Sequence, residues 1–169
     1  AFFECATLTS IDLSTSVTSI SKNTFSRCTA LTSIEISTSV TSIEASAFQE
    51  CTALTSINIP ISVTSIETSA LYGCTALTSI GIPPASVLTI GQSVFQRCTA
   101  LTSIDIPTSV TWIGQFAFDN CTALVSLDLP NSVTSVGTQA FSNCESLELV
   151  IASIGSLGDS NYCFKNCPK

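Results

Sequence analysis

Eight of the nine cysteines recur as Cys5, Cys28, Cys51, Cys74, Cys98, Cys121, Cys144 and Cys167, spaced 23 residues apart with one interval of 24. A thiol can ligate metal, act as a nucleophile or form a disulfide. Zinc, however, needs clustered ligands, and this chain has neither a Cys-x-x-Cys pair nor any His. One Cys per period instead predicts one buried environment repeated, in which the thiol packs as a small hydrophobe. Cys163 stands outside the series, four residues before Cys167 and in the column of Ala117 and Ala140. It is a disulfide candidate, with Cys144 or Cys167 as its partner. No metal site and no cofactor is predicted.

Without His the commonest general base is missing, and no Gly-x-Ser-x-Gly turn presents a serine, so no catalytic residue is expected. Asp12, Glu35, Asp105 and Asp128 fall in one column, interrupted by Asn58 and Gly81. Stacked layers would bring such like charges within about 5 Å, a spacing that a calcium ion could relieve; solvated acids that oppose aggregation are the simpler expectation.

Trp112 stands where other periods have Ser19, Ser42, Ser65 or Ser135, and Phe116 stands where they have Ser46 or Ser93. Leu88 replaces Thr41 or Thr64 in the period before. Apolar side chains gathered on a hydroxyl-rich surface suggest a contact patch; local packing, as against Pro83-Pro84, is the simpler expectation. Asn120-Cys121-Thr122 fits the N-glycosylation pattern, which makes Asn120 a candidate acceptor.

These residues need a scaffold, and the period supplies one. About seven units fit between Cys5 and Cys167, a period that indicates a solenoid. Leu31, Leu54, Leu77, Leu101 and Leu124 form one apolar column, followed by Ile34, Ile57, Ile80 and Ile104, then Ile36, Ile59, Ile82 and Ile106. The run ends in period-2 alternation, so a short strand should turn its Ile residues inward and Ser33 and Glu35 outward. Val40 and Ile43, with their equivalents, predict a second extended segment after a Pro-bearing turn. Ala47-Phe48-Gln49-Glu50-Cys51 predicts a single helical turn with Phe and Cys inward. The extra residue near Pro83-Pro84 is expected to bulge locally while the ladder continues. Seven layers at strand spacing would span roughly 34 Å.

The run Leu124, Leu127, Leu129, Pro130, Val133, Val136, Gly137, Ala140, Phe141 and Cys144, with its equivalents in the other units, resembles the BspA-like, or Treponema pallidum type, leucine-rich repeat. The resemblance covers nearly the whole chain. It implies a leucine-rich-repeat solenoid with parallel strands on one face, located outside the cell or at its surface and engaged in adhesion. Ser14 and Ser37 depart from the proline column, and Ser21, Glu44 and Glu67 from the glycine column. Residues 145–169 depart further: Leu149-Val150-Ile151 breaks the strand pattern, and Gly155 to Asn161 reads as loop. That segment is expected to be a degenerate repeat or cap of a single domain spanning 1–169, which is itself a candidate piece of a longer chain.

Five Lys and Arg against twelve Asp and Glu give a net charge of −7, a poor match for nucleic acid. Ser or Thr interrupts every apolar run before the roughly 18 residues of a membrane span, so no membrane insertion is expected. The leading expectation is a non-catalytic module that binds a protein or glycan. A self-associating structural element comes second. Ice binding through Thr32, Thr55, Thr78 and Thr102 is a minor third.

Overall fold

In the computed structural model, which describes residues 1–84, 86–152 and 163–168, each period spends its apolar columns on two short strands and a closing turn. Strands of the first kind are β1 (Ser10–Asp12), β3 (Ser33–Glu35), β5 (Ser56–Asn58), β7 (Ser79–Gly81), β10 (Ser126–Asp128) and β12 (Leu149–Ile151). Those of the second kind are β2 (Ser19–Ile20), β4 (Ser42–Ile43), β6 (Ser65–Ile66), β8 (Thr89–Ile90), β9 (Trp112–Ile113) and β11 (Ser135–Val136). Every pairing is parallel and displaced by one period, as in Ile11 with Ile34 and Ile20 with Ile43. The result is a β-solenoid of about six turns, each of roughly 23 residues.

The core is a set of ladders. Leu31, Leu54, Leu77, Leu101 and Leu124 are fully buried, as are Val40, Val63, Val87 and Val110. Phe rings stack from layer to layer, with centroids 5.4 Å apart for Phe25 and Phe48 and 5.1 Å for Phe95 and Phe118. Leu71 takes the intervening place. A single layer has no opposite wall against which to bury these side chains, so the hydrophobic contribution comes from stacking.

The predicted helical turn does not form: in the repeats up to Asn143 the segment before each Cys runs as consecutive turns. Alternate amides take different partners there. The N–H groups of Asn23, Phe25 and Arg27 donate to the carbonyls of Ala45, Ala47 and Gln49 in the next layer, while those of Thr24, Ser26 and Cys28 donate three residues back. This alternation is maintained by left-handed backbone at two positions per turn, such as Ser46 (φ 56°) and Glu50 (φ 58°). An α-helix would direct every amide along its own axis and leave the layers unconnected here. Phe and Cys still face inward, as expected from their spacing.

Continuity through Pro83-Pro84 holds for one sheet only. The second strands form an unbroken six-stranded sheet in the order β11-β9-β8-β6-β4-β2. Between β6 and β8, where the 24-residue interval lies, only Ile66 pairs with Ile90. The first strands form three separate pairs, β1-β3, β5-β7 and β10-β12, and residues 103–105 contribute only the bridge between Asp105 and Asp128. The same ladder is also unpaired between β3 and β5, where the connection carries Ser37 and no proline, so its interruption is not peculiar to Pro83-Pro84.

Leu149-Val150-Ile151, expected to break the pattern, forms β12 in register with β10, pairing Leu127 with Val150. Backbone hydrogen bonding does not require apolar alternation, so the ladder carries on while all three side chains stay exposed. The expected loop at 155–161 lies outside the described residues.

Candidate functional site

The three apolar departures from the repeat lie on the side of the second sheet. Trp112 opens β9, pairs with Thr89 of β8 and Ser135 of β11, and is 39% exposed. Leu88, 55% exposed, lies one layer down, where its carbonyl accepts both the amide and the hydroxyl of Thr111, at 2.9 and 3.3 Å. Phe116 follows β9 in the closing turn, half-buried. Its φ of 58° is left-handed, a conformation that costs an L-residue with a large side chain roughly 1–2 kcal/mol. Other layers put Asn23, Ser46, Ser69, Ser93 and Gln139 in that column. The structure thus brings Leu88 and Trp112 to adjoining rungs and Phe116 to the turn that leaves Trp112's strand.

The acidic column is split between two places. Asp12 pairs with Glu35 on β1 and β3, and Asp105 bridges to Asp128. Ser33 and Glu35 face outward, as expected from alternation. Asp128 also borders a groove of about 610 Å³ with Thr108, Pro130, Asn131 and Ile151. Among the described residues no cluster of three potential ligands is assembled.

The cysteine column is a set of donors. Cys51, Cys74 and Cys121 direct Sγ to the carbonyls of Phe25, Phe48 and Phe95 in the preceding layer, at 3.1, 3.2 and 3.1 Å. The candidates at the carboxy-terminal end do the same. Cys144 reaches Phe118 at 3.4 Å, Cys163 reaches Gly137 at 3.7 Å and Cys167 reaches Phe141 at 3.0 Å. Cys144 and Cys167 are present as thiols. Burial, reinforced by the neighbouring thiol, pushes Cys51 and Cys144 up to about 12, and the fully enclosed Cys74, Cys98 and Cys121 well above their ordinary value. Such thiols are poor nucleophiles.

Asn120, the glycosylation candidate, is half-buried and donates its side-chain amide to Asp119 at 3.0 Å. Its acceptor is part of a network that period counting overlooks. Asp119, only 7% exposed, also accepts from Gln96 and Asn143, each at 2.8 Å. Asn166 donates to Asn143 in turn, at 2.7 Å. Reading down the two columns just before each Cys reveals these partners, because residues one period apart are neighbours across layers. The same columns nearer the amino terminus hold Arg27 between Glu4 and Glu50, at 2.9 and 3.0 Å.

Fold and surface together support an assignment from known proteins. The chain matches the BspA type leucine-rich repeat region, in six copies, over residues 1–111 and 41–169. It belongs to the BspA-type leucine-rich-repeat family. Among solved structures of such repeats, a leucine-rich repeat protein of T. pallidum is 37% identical over 66% of this chain and 51% of its own, with a TM-score of 0.64. A leucine-rich cell surface protein of Faecalibacterium prausnitzii is 30% identical over 96% of this chain and 52% of its own, with a TM-score of 0.72. One from Eubacterium ventriosum reaches a TM-score of 0.81 at 27% identity, over 95% of this chain and 43% of its own. The chain therefore spans about half the length of these relatives. No curated protein matches it. BspA-type repeats are usually found on surface or secreted proteins, and solenoids of this fold generally serve as binding scaffolds. No helix among the described residues is long and apolar enough to cross a membrane.

Proposed function

We propose that this BspA-type solenoid is a non-catalytic recognition module, working at the cell surface or outside the cell, that holds a protein or glycan partner against the second sheet at Leu88, Trp112 and Phe116. The observation that carries this reading is the pair of exposed apolar side chains, Leu88 and Trp112, with the half-buried Phe116 beside them, on adjoining layers of a face otherwise built from Ser and Thr. Aromatic side chains of this kind supply most of the energy at interfaces because they bury large area at little entropic cost. Asp105, Asp128, Ser33 and Glu35 lie on the first sheet and would act as a polar surround for a wide partner. The Thr columns give less support to ice binding. Thr32, Thr55 and Thr78 spend their hydroxyl protons on the carbonyls of Thr9, Thr32 and Thr55.

Self-association through the exposed apolar side chains of the same face, Leu88 and Trp112, is the alternative. Light scattering over a concentration series, run beside capture on arrayed extracellular proteins and glycans, separates the two. Saturable capture by a monomer supports recognition, whereas concentration-dependent oligomers without capture support assembly.

A further inference from the structure

We propose that the uncharged face around Trp112, flanked on its neighbouring rungs by the hydroxyls of Thr89 and Ser135, binds an uncharged glycan; this rests on the recognition reading above. The glycine column is where the two ends of the stack diverge. After β2, β4 and β6 the chain carries Ser21, Glu44 and Glu67, and after β8, β9 and β11 it carries the three glycines. Across 86–92, 109–115 and 132–138 there is not one ionisable side chain. Charge is removed from the same three layers in which Trp112 appears.

The chemistry of that surface is specific. Trp112 offers an apolar face, while its register partners Thr89 and Ser135 offer hydroxyls that donate or accept. A sugar ring is complementary to this pairing. Its C–H face packs on an indole, and its hydroxyls exchange hydrogen bonds with neutral groups around it.

Other occupants fit less well. An extended peptide cannot add to β9 as an edge strand, because β8 and β11 already pair with it on both sides. A cationic partner would find its carboxylates on the first sheet, at Asp105 and Asp128. A sulfated or sialylated glycan would meet a chain of net charge −7.

Because Trp112 is the one tryptophan in the chain, its fluorescence reports the site directly. The intact chain is titrated with neutral oligosaccharides (cello-, malto-, manno- and chito-series), with heparin, and with a panel of extracellular-matrix proteins. A saturable emission change is expected with at least one neutral series. Trp112→Ala should then weaken that binding about tenfold or more, and Trp112→Phe by less. Circular dichroism checks that the exposed substitution leaves the fold intact. Silence of every neutral series at millimolar concentration, or a response to heparin alone, overturns the inference. If a matrix protein instead binds in a Trp112-dependent way, recognition stands and its occupant is a protein. If nothing binds, both readings fall.

Discussion

Layers after β4 and β6 carry Glu44 and Glu67, whereas those after β8, β9 and β11 carry Gly91, Gly114 and Gly137. The turns differ in the same sense. Near the amino terminus Arg27 lies exposed between Glu4 and Glu50, and towards the carboxy terminus Asp119 is buried among Gln96, Asn120 and Asn143. Inside, the two regions are alike: the same Leu, Val, Phe and Cys columns run through both. Stacking constrains only what points inward or along the axis, so each region is free to differ outside, and the carboxy-terminal layers are where aromatics have been placed on the face.

The shared interior predicts the largest effect, one that should not distinguish the regions. An unfolded thiol titrates near 9.0, while Cys51 and Cys144 are raised to about 12 by burial and by Cys28 and Cys167 respectively. Cys74, Cys98 and Cys121 are raised further. Below pH 9 the folded and unfolded chains hold these protons equally, and stability is fully present. Above it the folded chain holds more protons than the unfolded one, so stability falls as pH climbs towards 12 and beyond. Each thiol contributes about 1.4 kcal/mol per pH unit, enough for five of them to exhaust the roughly 5–15 kcal/mol of a typical domain within about two units. Urea midpoints measured from pH 7 to 11 should drop steeply above pH 9. A flat profile would mean that the thiols are not enclosed as described.

The glycine column separates the regions next. A Cβ at Gly114 would lie 2.6 Å from the Gln92 nitrogen and 2.7 Å from the Gly91 carbonyl carbon. Gly114→Ala should therefore cost about 2–3 kcal/mol, since backbone rather than a flexible side chain must yield. The reverse change, Glu67→Gly, should cost less than about 1 kcal/mol. Equal effects in urea titrations would remove the distinction between the two columns.

The turn surfaces provide a third contrast. Asp119→Ala leaves the Gln96 and Asn143 amides without their acceptor in a nearly closed site, for a loss of about 2 kcal/mol. Arg27→Ala should leave the urea midpoint unchanged within error, because its ion pairs lie in solvent. A comparable loss from Arg27→Ala would contradict that assignment.

The columns were legible in the sequence because burial repeats at a fixed period: Leu101, Val110 and Ile113 face inward in whatever conformation joins them. The closing turn was not. Phe and Cys three apart fit a helix and the observed turns equally, and the distinguishing residues lie at the left-handed positions. Asn23, Gly73, Asn120 and Asn143 stand there, and Gly and Asn are the types that tolerate that backbone. Asp119 was missed because its partners lie one period away in sequence, and only stacking makes them neighbours. Trp112, Phe116 and Leu88 were legible as breaks in their columns, but the strain at Phe116 needed the backbone.

On the proposed reading, the aromatic departures serve a partner and not the fold. That claim is tested most directly by one variant, Trp112→Ser with Phe116→Ser, measured twice: urea unfolding for stability, and titration with whichever protein or glycan the wild-type chain captures. Stability within about 1 kcal/mol of wild type, together with binding reduced tenfold or more, is the predicted result. Stability lost by several kcal/mol with binding retained would place these side chains in the packing of the stack and contradict the claim.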